Sequence, residues 1–337
     1  MSTPDGIPAH IPARTAPQIP PVVPTAWVRE RTAATPDTAS DGTPGPASDG
    51  ALVLADVRWY LDGRSGRDAY LAGHLPGAVW VDVDTDLAAP GTAAGGRHPL
   101  PAAEEFAARL GRLGIADDSV VVAYDDQGGG FAARLVWLLR RTGRRAALLD
   151  GGLAAWDGTL ETGPVTRAPV TREVTPWPAH LLRDADEAAA AGRTPTALLL
   201  DSRAAARYSG ADAHAGETRT GHLPGALSAP WQDNLTAGGL FRPPAELRAR
   251  FAALGLTAAE EVVFHCGSGV TACHNLLAVE LAGLPDAALF VGSWSAWSAD
   301  PDRPVVQGTR PFAADGTGAP ATGAPVTGAP ATGEAAR

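Results

Sequence analysis

The sequence predicts an α/β protein built from two tandem copies of one unit, each a mainly parallel sheet flanked by helices. Two observations support this fold class. Short apolar runs, typical of buried strands, alternate along the chain with segments of helical periodicity. In addition, a set of landmarks in the first half of the chain recurs in the same order in the second half. Such internal repetition indicates duplication of one structural unit.

Each copy has the same predicted elements. The first is expected to begin with a short helix at residues 25–31. Its strands are predicted at residues 51–55, 79–81, 120–124 and 146–149, and its main helices at 102–113 and 132–141. In the second copy, strands are predicted at residues 198–200 and 262–264, and helices at 245–254 and 272–283. In sheets of this kind, ligands bind beyond the carboxyl ends of the strands.

The most specific landmark is Gly-His-Leu-Pro-Gly-Ala, which occupies residues 73–78 and again, letter for letter, residues 221–226. Composition places the units at residues 22–161 and 179–308, joined by a linker at 162–178 that contains several prolines. Three segments lack core-forming residues and are expected to stay outside both units. They are a disordered tail at 1–21, an inserted surface loop at 33–50 and a low-complexity tail at 309–337.

Composition excludes several classes of function. The 337 residues carry a net charge of −10, which gives no electrostatic reason to expect nucleic-acid or anionic-membrane binding. The chain lacks both a membrane-length apolar stretch and a secretory signal pattern. Its two cysteines cannot build a disulfide scaffold or a four-thiolate zinc site. We therefore expect a cytoplasmic protein without a metal.

The residues that indicate chemistry are Cys266-Gly267-Ser268-Gly269-Val270-Thr271, between a predicted strand and a predicted helix. The N–H groups of such a loop can converge on one point, towards which the positive end of the helix dipole is directed. A cysteine at that point is expected to react as a thiolate nucleophile. Cys273, further along, is expected to be a packing residue.

The two copies differ at this position. Aligning their strands puts Asp125 of the first copy opposite Cys266 of the second. The first copy therefore keeps the outline of the loop with a carboxylate in place of the nucleophile. Because an acidic residue repels an anionic ligand, we expect the first copy to be inactive and to supply a wall of the other copy's pocket.

With these motifs, the chain resembles a two-domain rhodanese-type sulfurtransferase over roughly residues 22–308. The carriers of the resemblance are the paired Gly-His-Leu-Pro-Gly-Ala segments, Asp-Ser-Arg at 201–203, the Cys266 loop, and Gly-Ser-Trp-Ser-Ala-Trp at 292–297. The loop is similar to that of 3-mercaptopyruvate sulfurtransferases. Members that prefer thiosulfate carry basic residues where this chain has Gly267 and Ser268.

The resemblance implies an activity. The Cys266 thiolate would take sulfur from a small anionic donor, 3-mercaptopyruvate or thiosulfate, as a persulfide. A thiol, thioredoxin or cyanide would then accept it, with no cofactor. The family's proton relay implies Ser268, His74 and Asp68 as partners, with Asp62 as an alternative carboxylate. His74 could instead be a turn histidine that bonds its own backbone, as is expected for His222.

The resemblance also implies substrate-binding residues. Arg207 matches a substrate arginine of the family, and Arg219 is the candidate for a second one, although it lies closer to His222 than the family pattern. An arginine fork suits a donor carboxylate. The remaining contacts are expected from loop N–H groups, at Gly267, Gly269, Val270 and Thr271.

Two alternatives remain open. One is a thiosulfate:cyanide sulfurtransferase that uses the same cysteine. The other is a non-catalytic rhodanese module that docks partners, although such a module has no need of Cys266. A dual-specificity phosphatase is excluded, because its loop needs an arginine where this chain has Thr271 and Ala272.

Overall fold

The computed structural model describes residues 19–34, 50–212, 217 and 219–312. Most of the predicted N-terminal tail, most of the inserted loop at 33–50 and most of the C-terminal tail lie outside the described residues. No helix in the described part of the chain combines the length and the apolar character needed to cross a membrane.

The first unit contains a five-stranded sheet with the order β1-β5-β4-β2-β3, and every pairing is parallel. The central strand β4 is buried along its whole length, as expected for a parallel sheet covered on both faces. The elements in chain order are β1 (Val22–Val23), α1 (Thr25–Ala34), β2 (Leu52–Asp56), α2 (Gly66–Ala72), β3 (Val79–Trp80), α3 (Ala103–Arg112), β4 (Val120–Tyr124), α4 (Ala132–Arg141) and β5 (Arg145–Leu149).

The second unit repeats this architecture, with a five-stranded parallel sheet in the equivalent order β6-β10-β9-β7-β8. The identical strand order confirms the predicted duplication. The elements are β6 (Leu182–Arg183), α5 (Ala185–Ala191), β7 (Ala197–Asp201), α6 (Ala205–Ser209), β8 (Leu227–Ser228), α7 (Pro244–Ala253), β9 (Glu261–His265), α8 (Ala272–Leu281), β10 (Ala288–Phe290) and α9 (Ser293–Ala299).

The sequence did not predict the elements α2, α5, α6, β8, β10 and α9. It also did not predict the edge strands β1 and β6. Each contains two residues, which is too short for a periodic pattern to be visible. Between the sheets, the predicted linker at 162–178 contains no helix or strand and runs along the first unit. There the indole N–H of Trp177 donates to the Pro101 carbonyl at 2.8 Å, and the Val170 amide donates to the Gly111 carbonyl at 2.9 Å.

The two units meet through helices α4 and α8, which pack against each other. Each of these helices follows the loop at the carboxyl end of a central strand, so their contact brings the two loops to the domain boundary. Helix α4 is buried on almost all sides, because it lies between its own sheet and the other unit. Two arginines of α4 reach the second unit, where Arg140 and Arg141 both pair with Glu280 of α8. The interface is therefore built from packed helices and ion pairs.

Candidate active site

The Cys266 loop begins where β9 ends, and its conformation is held by α9. The amides of Trp294 and Ser295 donate to the carbonyls of Cys266 and Gly267 at 3.0 and 2.8 Å, and the Cys266 amide donates to Ser293 Oγ at 3.2 Å. Gly269 has a φ of +75°, and a Cβ atom there would lie 2.5 Å from the Val291 carbonyl oxygen. Only glycine fits this position.

The amides of the loop form a cradle suited to an anion. Within the described residues, the amides of residues 267–271 donate no hydrogen bond. The Cys266 side chain is buried among them, and the N-terminus of the ten-residue helix α8 follows at once. Free amides and a helix N-terminus stabilise a negative charge. The structure thus places the predicted nucleophile and the loop residues Gly267, Gly269, Val270 and Thr271 in one cradle.

The equivalent loop of the first unit is already filled, by its own side chain. The fully buried Asp125 carboxylate accepts hydrogen bonds from the amides of Gln127, Gly129, Phe131 and Ala132, at distances of 2.8 to 3.0 Å. Burial raises the pKa of Asp125, and these four hydrogen bonds act in the opposite direction. The Asp125 carboxylate therefore binds the amides that would otherwise hold an anionic ligand. This is a second reason, besides charge repulsion, to expect no anion in this loop.

Ser268 forms a hydrogen bond across the boundary between the two units. Its Oγ lies 2.7 Å from His98 Nδ1, and His98 Nε2 lies 2.8 Å from Asp84 Oδ1. Because a carboxylate can only accept, the hydrogen is on Nε2, and Nδ1 is left to accept from the Ser268 hydroxyl. Trp59 donates to the second Asp84 oxygen at 2.9 Å. The His98 hydrogen bond, together with that of Trp59, holds the pKa of Asp84 below its ordinary value.

The prediction that His74 is the partner of Ser268 was wrong. His74 is fully buried, its Nδ1 lies 2.9 Å from the Tyr70 carbonyl oxygen, and its ring stacks on Tyr70. His222 has the same arrangement on Tyr208 in the second unit, with the same 2.9 Å distance. The Gly-His-Leu-Pro-Gly turn thus ties its histidine to the preceding helix in both copies. The turn-histidine alternative is the one that the structure supports.

The two carboxylates predicted for the relay, Asp68 and Asp62, have other partners as well. Asp68 lies in the first turn of α2, where its amide donates to the N-cap Ser65, and its side chain is exposed. Asp62 pairs with Arg64 at 2.9 Å on the surface. Neither carboxylate hydrogen-bonds to Ser268 or His98, whose partners are given above.

His98 could have been found from the repeat itself. The first unit contains Gly95-Gly96-Arg97-His98, and the second contains Gly238-Gly239-Leu240-Phe241 at the corresponding place before the equivalent helix. A histidine therefore stands in one copy where the other has an apolar ring. This is the same kind of asymmetry that distinguishes Cys266 from Asp125.

Of the two predicted substrate arginines, one is at the site. Arg207 on α6 borders the loop, and a Cβ atom on Gly267 would lie 3.4 Å from its Nη2. Arg219 instead donates to the backbone carbonyls of Asp300 and Arg303 at 2.8 and 2.7 Å, which contradicts the predicted substrate contact. These contacts place the Arg219 guanidinium at the C-terminal end of α9. Arg97 of the first unit, which was not predicted, approaches the same point on Gly267 to 3.2 Å.

Arg134 on α4 supports both halves of the site. Its buried guanidinium donates to the Gly269 carbonyl of the Cys266 loop at 2.9 Å and to the carbonyl of His98 in the first unit at 2.8 Å. It also donates to the Leu87 carbonyl. One side chain thus sets the separation of the two loops.

Cys273 is buried in α8, as expected for a packing residue. Burial raises the pKa of its thiol to about 12, so it stays protonated and unreactive at neutral pH. Across the described ranges, no group of three or more histidine, cysteine, aspartate or glutamate side chains could hold a metal ion.

Comparison with known proteins gives consistent matches. Residues 45–159 and 184–300 each match the family described as Rhodanese-like domain. A probable 3-mercaptopyruvate sulfurtransferase of Pseudomonas aeruginosa is 44% identical over 265 residues, which cover 76% of this chain and 93% of that protein. A putative thiosulfate sulfurtransferase of Mycobacterium tuberculosis is 40% identical over 266 residues, covering 77% and 92%. The crystal structure of SseA from Escherichia coli, described with the fold and mechanism of 3-mercaptopyruvate sulfotransferases, matches with a TM-score of 0.66 at 30% identity. It covers 82% of this chain and 100% of that one.

Proposed function

The chain belongs to the rhodanese family, and from that premise we propose that it transfers sulfur from 3-mercaptopyruvate, through a persulfide on Cys266, to a thiol, thioredoxin or cyanide. The observation that carries the choice of donor is the hydrogen-bonded chain Ser268–His98–Asp84 beside the nucleophile. The site offers a nucleophile, an anion cradle, a proton relay and arginines.

In the first step, the Cys266 thiolate attacks the donor's sulfur and the carbon–sulfur bond breaks. The electron pair of that bond goes to the departing pyruvate enolate, while the sulfur stays on Cys266 as a persulfide. The amides of residues 267–271 and the N-terminus of α8 stabilise the anionic sulfur before and after transfer. An acceptor thiol or cyanide then attacks the outer sulfur and restores the Cys266 thiolate.

The enolate must gain a proton on carbon, and the donor's thiol must lose one. Ser268 Oγ exchanges this proton with His98 Nδ1, and Asp84 stabilises the imidazolium that forms when His98 takes it. The donor's thiol proton thus ends on the methyl group of pyruvate, and the reaction balances without a further reactant. Thiosulfate has no carbon to protonate, so the relay has no use with that donor.

A thiosulfate:cyanide sulfurtransferase is the second candidate, favoured by the name of the Mycobacterium tuberculosis relative. The test is an assay of the purified protein with each donor and cyanide. We expect the larger kcat/KM with 3-mercaptopyruvate. A thiosulfate kcat/KM well above it would contradict the proposed donor and leave the persulfide chemistry intact.

The persulfide itself is tested by mass spectrometry after treatment with the donor. The wild type should gain the mass of one sulfur atom on Cys266, and Cys266→Ser should gain none while keeping its fold. A wild type that stays unmodified would instead support a non-catalytic docking module. We also propose a reducing, cytoplasmic setting, since both cysteines are free thiols in the structure and the mechanism needs one of them reduced.

A further inference from the structure

The strand residue before Cys266 differs between the two copies. His265 ends β9 beside Asp201 of β7, and Tyr124 ends β4 beside Asp56 of β2, in the same parallel register. The two side chains differ in reach, because only tyrosine carries a hydroxyl group beyond its ring. The copies therefore place different polar atoms at the same point of the sheet.

In the first unit, the Tyr124 hydroxyl serves a buried backbone amide. The Leu75 amide donates to Tyr124 Oη at 2.9 Å, and both residues are fully buried with Asp56. Burial, and after it the charge of Asp56, raises the pKa of Tyr124. The hydroxyl therefore keeps its proton and can donate it to the Asp56 carboxylate. One oxygen atom thus satisfies an amide and a carboxylate.

The surroundings of this point repeat in the second unit. Arg203 donates to the Asp201 carboxylate and to the carbonyl that precedes the turn histidine, both at 2.6 Å. Arg58 makes the equivalent two bonds in the first unit at 2.7 and 2.6 Å. Each turn histidine lies 2.9 Å from a tyrosine carbonyl of the preceding helix. The turn therefore has the same position relative to the strand ends in both copies, and the Leu223 amide corresponds to the Leu75 amide.

Two buried polar atoms at this point lack a protein partner in the second unit. Leu223 is fully buried, and its amide donates no hydrogen bond to any residue that the structure describes. The buried His265 Nε2 likewise has no hydrogen-bond partner among those residues, and it lies 3.8 Å from Asp201 Oδ2. Orphaned buried N–H groups are rare, because each costs about as much as a lost hydrogen bond. The second unit therefore needs an oxygen atom where the first has the Tyr124 hydroxyl.

We propose that the second unit binds one buried water molecule between His265 Nε2, the Leu223 amide and the Asp201 carboxylate. The water accepts from the amide and donates its two hydrogens to Nε2 and to the carboxylate, so every group at the site is paired. Three hydrogen bonds are the usual number for a buried water. The position is that of a single tyrosine hydroxyl, so it suits water rather than a larger ligand.

The protons of His265 agree with this arrangement. Burial lowers the pKa of His265, so its ring is neutral and carries one N–H. Its Nδ1 faces the Cys266 carbonyl oxygen at 3.4 Å, and because that oxygen can only accept, the hydrogen is on Nδ1. Against burial, which acts to raise it, the Arg203 guanidinium holds the pKa of Asp201 below its ordinary value, so Asp201 cannot donate to Nε2. The water supplies that donor, and it thereby fixes the tautomer that faces the backbone of the nucleophile.

A high-resolution crystal structure tests the site directly. The wild type should contain one ordered water within hydrogen-bond distance of His265 Nε2, the Leu223 amide and Asp201. In His265→Tyr, the tyrosine hydroxyl should take its place, as in the first unit. A wild type without this water, or a water that stays in His265→Tyr, would overturn the proposal. The wild-type structure decides the question even where a variant fails to fold.

Thermal unfolding tests the same point in solution. His265→Tyr and His265→Phe both lose the Nδ1 contact to Cys266, so they differ only in the hydroxyl that replaces the water. We expect the Tm of His265→Phe to be about 3 to 10 °C below that of His265→Tyr, because the Leu223 amide is left without an acceptor. Equal Tm values would contradict a polar site between these groups.

The first unit provides the reciprocal control. Tyr124→Phe removes the hydroxyl from the Leu75 amide and should lower the Tm by a similar amount. Tyr124→His recreates the arrangement of the second unit, so a water can enter and the Tm should fall less than in Tyr124→Phe. A Tyr124→His variant that is no more stable than Tyr124→Phe would show that histidine and water do not replace the hydroxyl, against the proposal.

Discussion

His98 Nδ1 of the first unit lies 2.7 Å from Ser268 Oγ of the second, although 170 residues separate them in the chain. The complete site therefore exists only where the two units meet. The first unit has no nucleophile in its own cradle, yet it provides His98, Asp84 and Arg97 to the other. The two units thus share one architecture and differ at this loop, with Asp125 in the first and Cys266 in the second.

Removing either member of the relay should slow turnover with 3-mercaptopyruvate. Ser268→Ala and His98→Gln are each expected to lower kcat by about 10²-fold, because either change interrupts proton transfer. The double variant should be no slower than the slower single variant, since both changes break one chain. Steady-state rates with both donors test this. Additive losses, or an equal loss with thiosulfate, would contradict a shared relay.

His74→Gln is the matched control for His98→Gln. His74 bonds the Tyr70 carbonyl and stacks on that ring, away from Ser268. We expect a loss of stability of about 1 to 3 kcal/mol from the broken buried contact and kcat within about twofold of the wild type. Urea denaturation and the standard assay measure the two effects. A fall in kcat comparable with that of His98→Gln would return His74 to the mechanism.

Asp125→Ala should open the filled cradle of the first unit. The change leaves four buried amides without an acceptor, so we expect the free energy of unfolding to fall by about 3 to 5 kcal/mol. Formate can replace the missing carboxylate and should raise the Tm of this variant by more than that of the wild type. The exposed Asp62→Ala should show no such rescue. Equal formate effects on all three proteins would show that the cradle does not bind an anion.

His274 should make stability depend on pH. It lies at the domain boundary, where Nε2 donates to the Gly128 carbonyl and Nδ1 accepts from Asn234, both at 3.1 Å. Burial lowers the pKa of His274 from 6.5 to about 3. Above pH 6.5 both states are neutral. At lower pH only the unfolded chain gains the proton, so the free energy of unfolding falls by about 1.4 kcal/mol per pH unit until pH about 3.

The check is urea denaturation of the wild type and His274→Gln at pH 7 and pH 5. The variant should be less stable at pH 7, because buried contacts are lost. Between the two pH values it should lose about 2 kcal/mol less than the wild type does. Other titrating groups contribute equally to the pH dependence of both proteins. Their contributions therefore cancel when the change in the free energy of unfolding of the variant is subtracted from that of the wild type. Equal pH dependence would mean that His274 does not titrate in the unfolded chain alone.

Arg134→Lys tests whether the spacing of the two loops matters for catalysis. Lysine keeps the charge, but its single ammonium nitrogen cannot reproduce the spread of Nε, Nη1 and Nη2, which donate to the Leu87, Gly269 and His98 carbonyls. We expect kcat with 3-mercaptopyruvate to fall by about 10-fold or more, together with the Tm. Arg140, on the same helix and also at the interface, pairs with Glu280 and donates to the Ile19 and Ala146 carbonyls, none of which belongs to the Cys266 loop or the His98 loop. The control variant is Arg140→Lys. It should lower the Tm with little change in kcat.

Local patterns in the sequence were enough to predict the long buried elements and to single out Cys266 as the candidate nucleophile. The predictions for β4 at 120–124 and α4 at 132–141 match the observed bounds, because apolar periodicity reports directly which face of an element is buried. The comparison of Asp125 with Cys266 likewise needed only the repeat. The duplicated strand order followed from landmarks that recur in the same sequence, and the structure confirms it.

Only the tertiary structure decided which partners surround Cys266. His74 and His98 both belong to the first unit. The repeat sets His98 apart as a difference between the copies, but no sequence pattern states which of the two reaches Ser268. That choice depends on how α4 docks on α8, a packing of two helix surfaces that aligns one loop of each unit. The same docking turns Arg97 toward Gly267, while Arg219 donates to a carbonyl at the end of α9. Contacts between residues far apart in the chain depend on this geometry, which local periodicity does not encode.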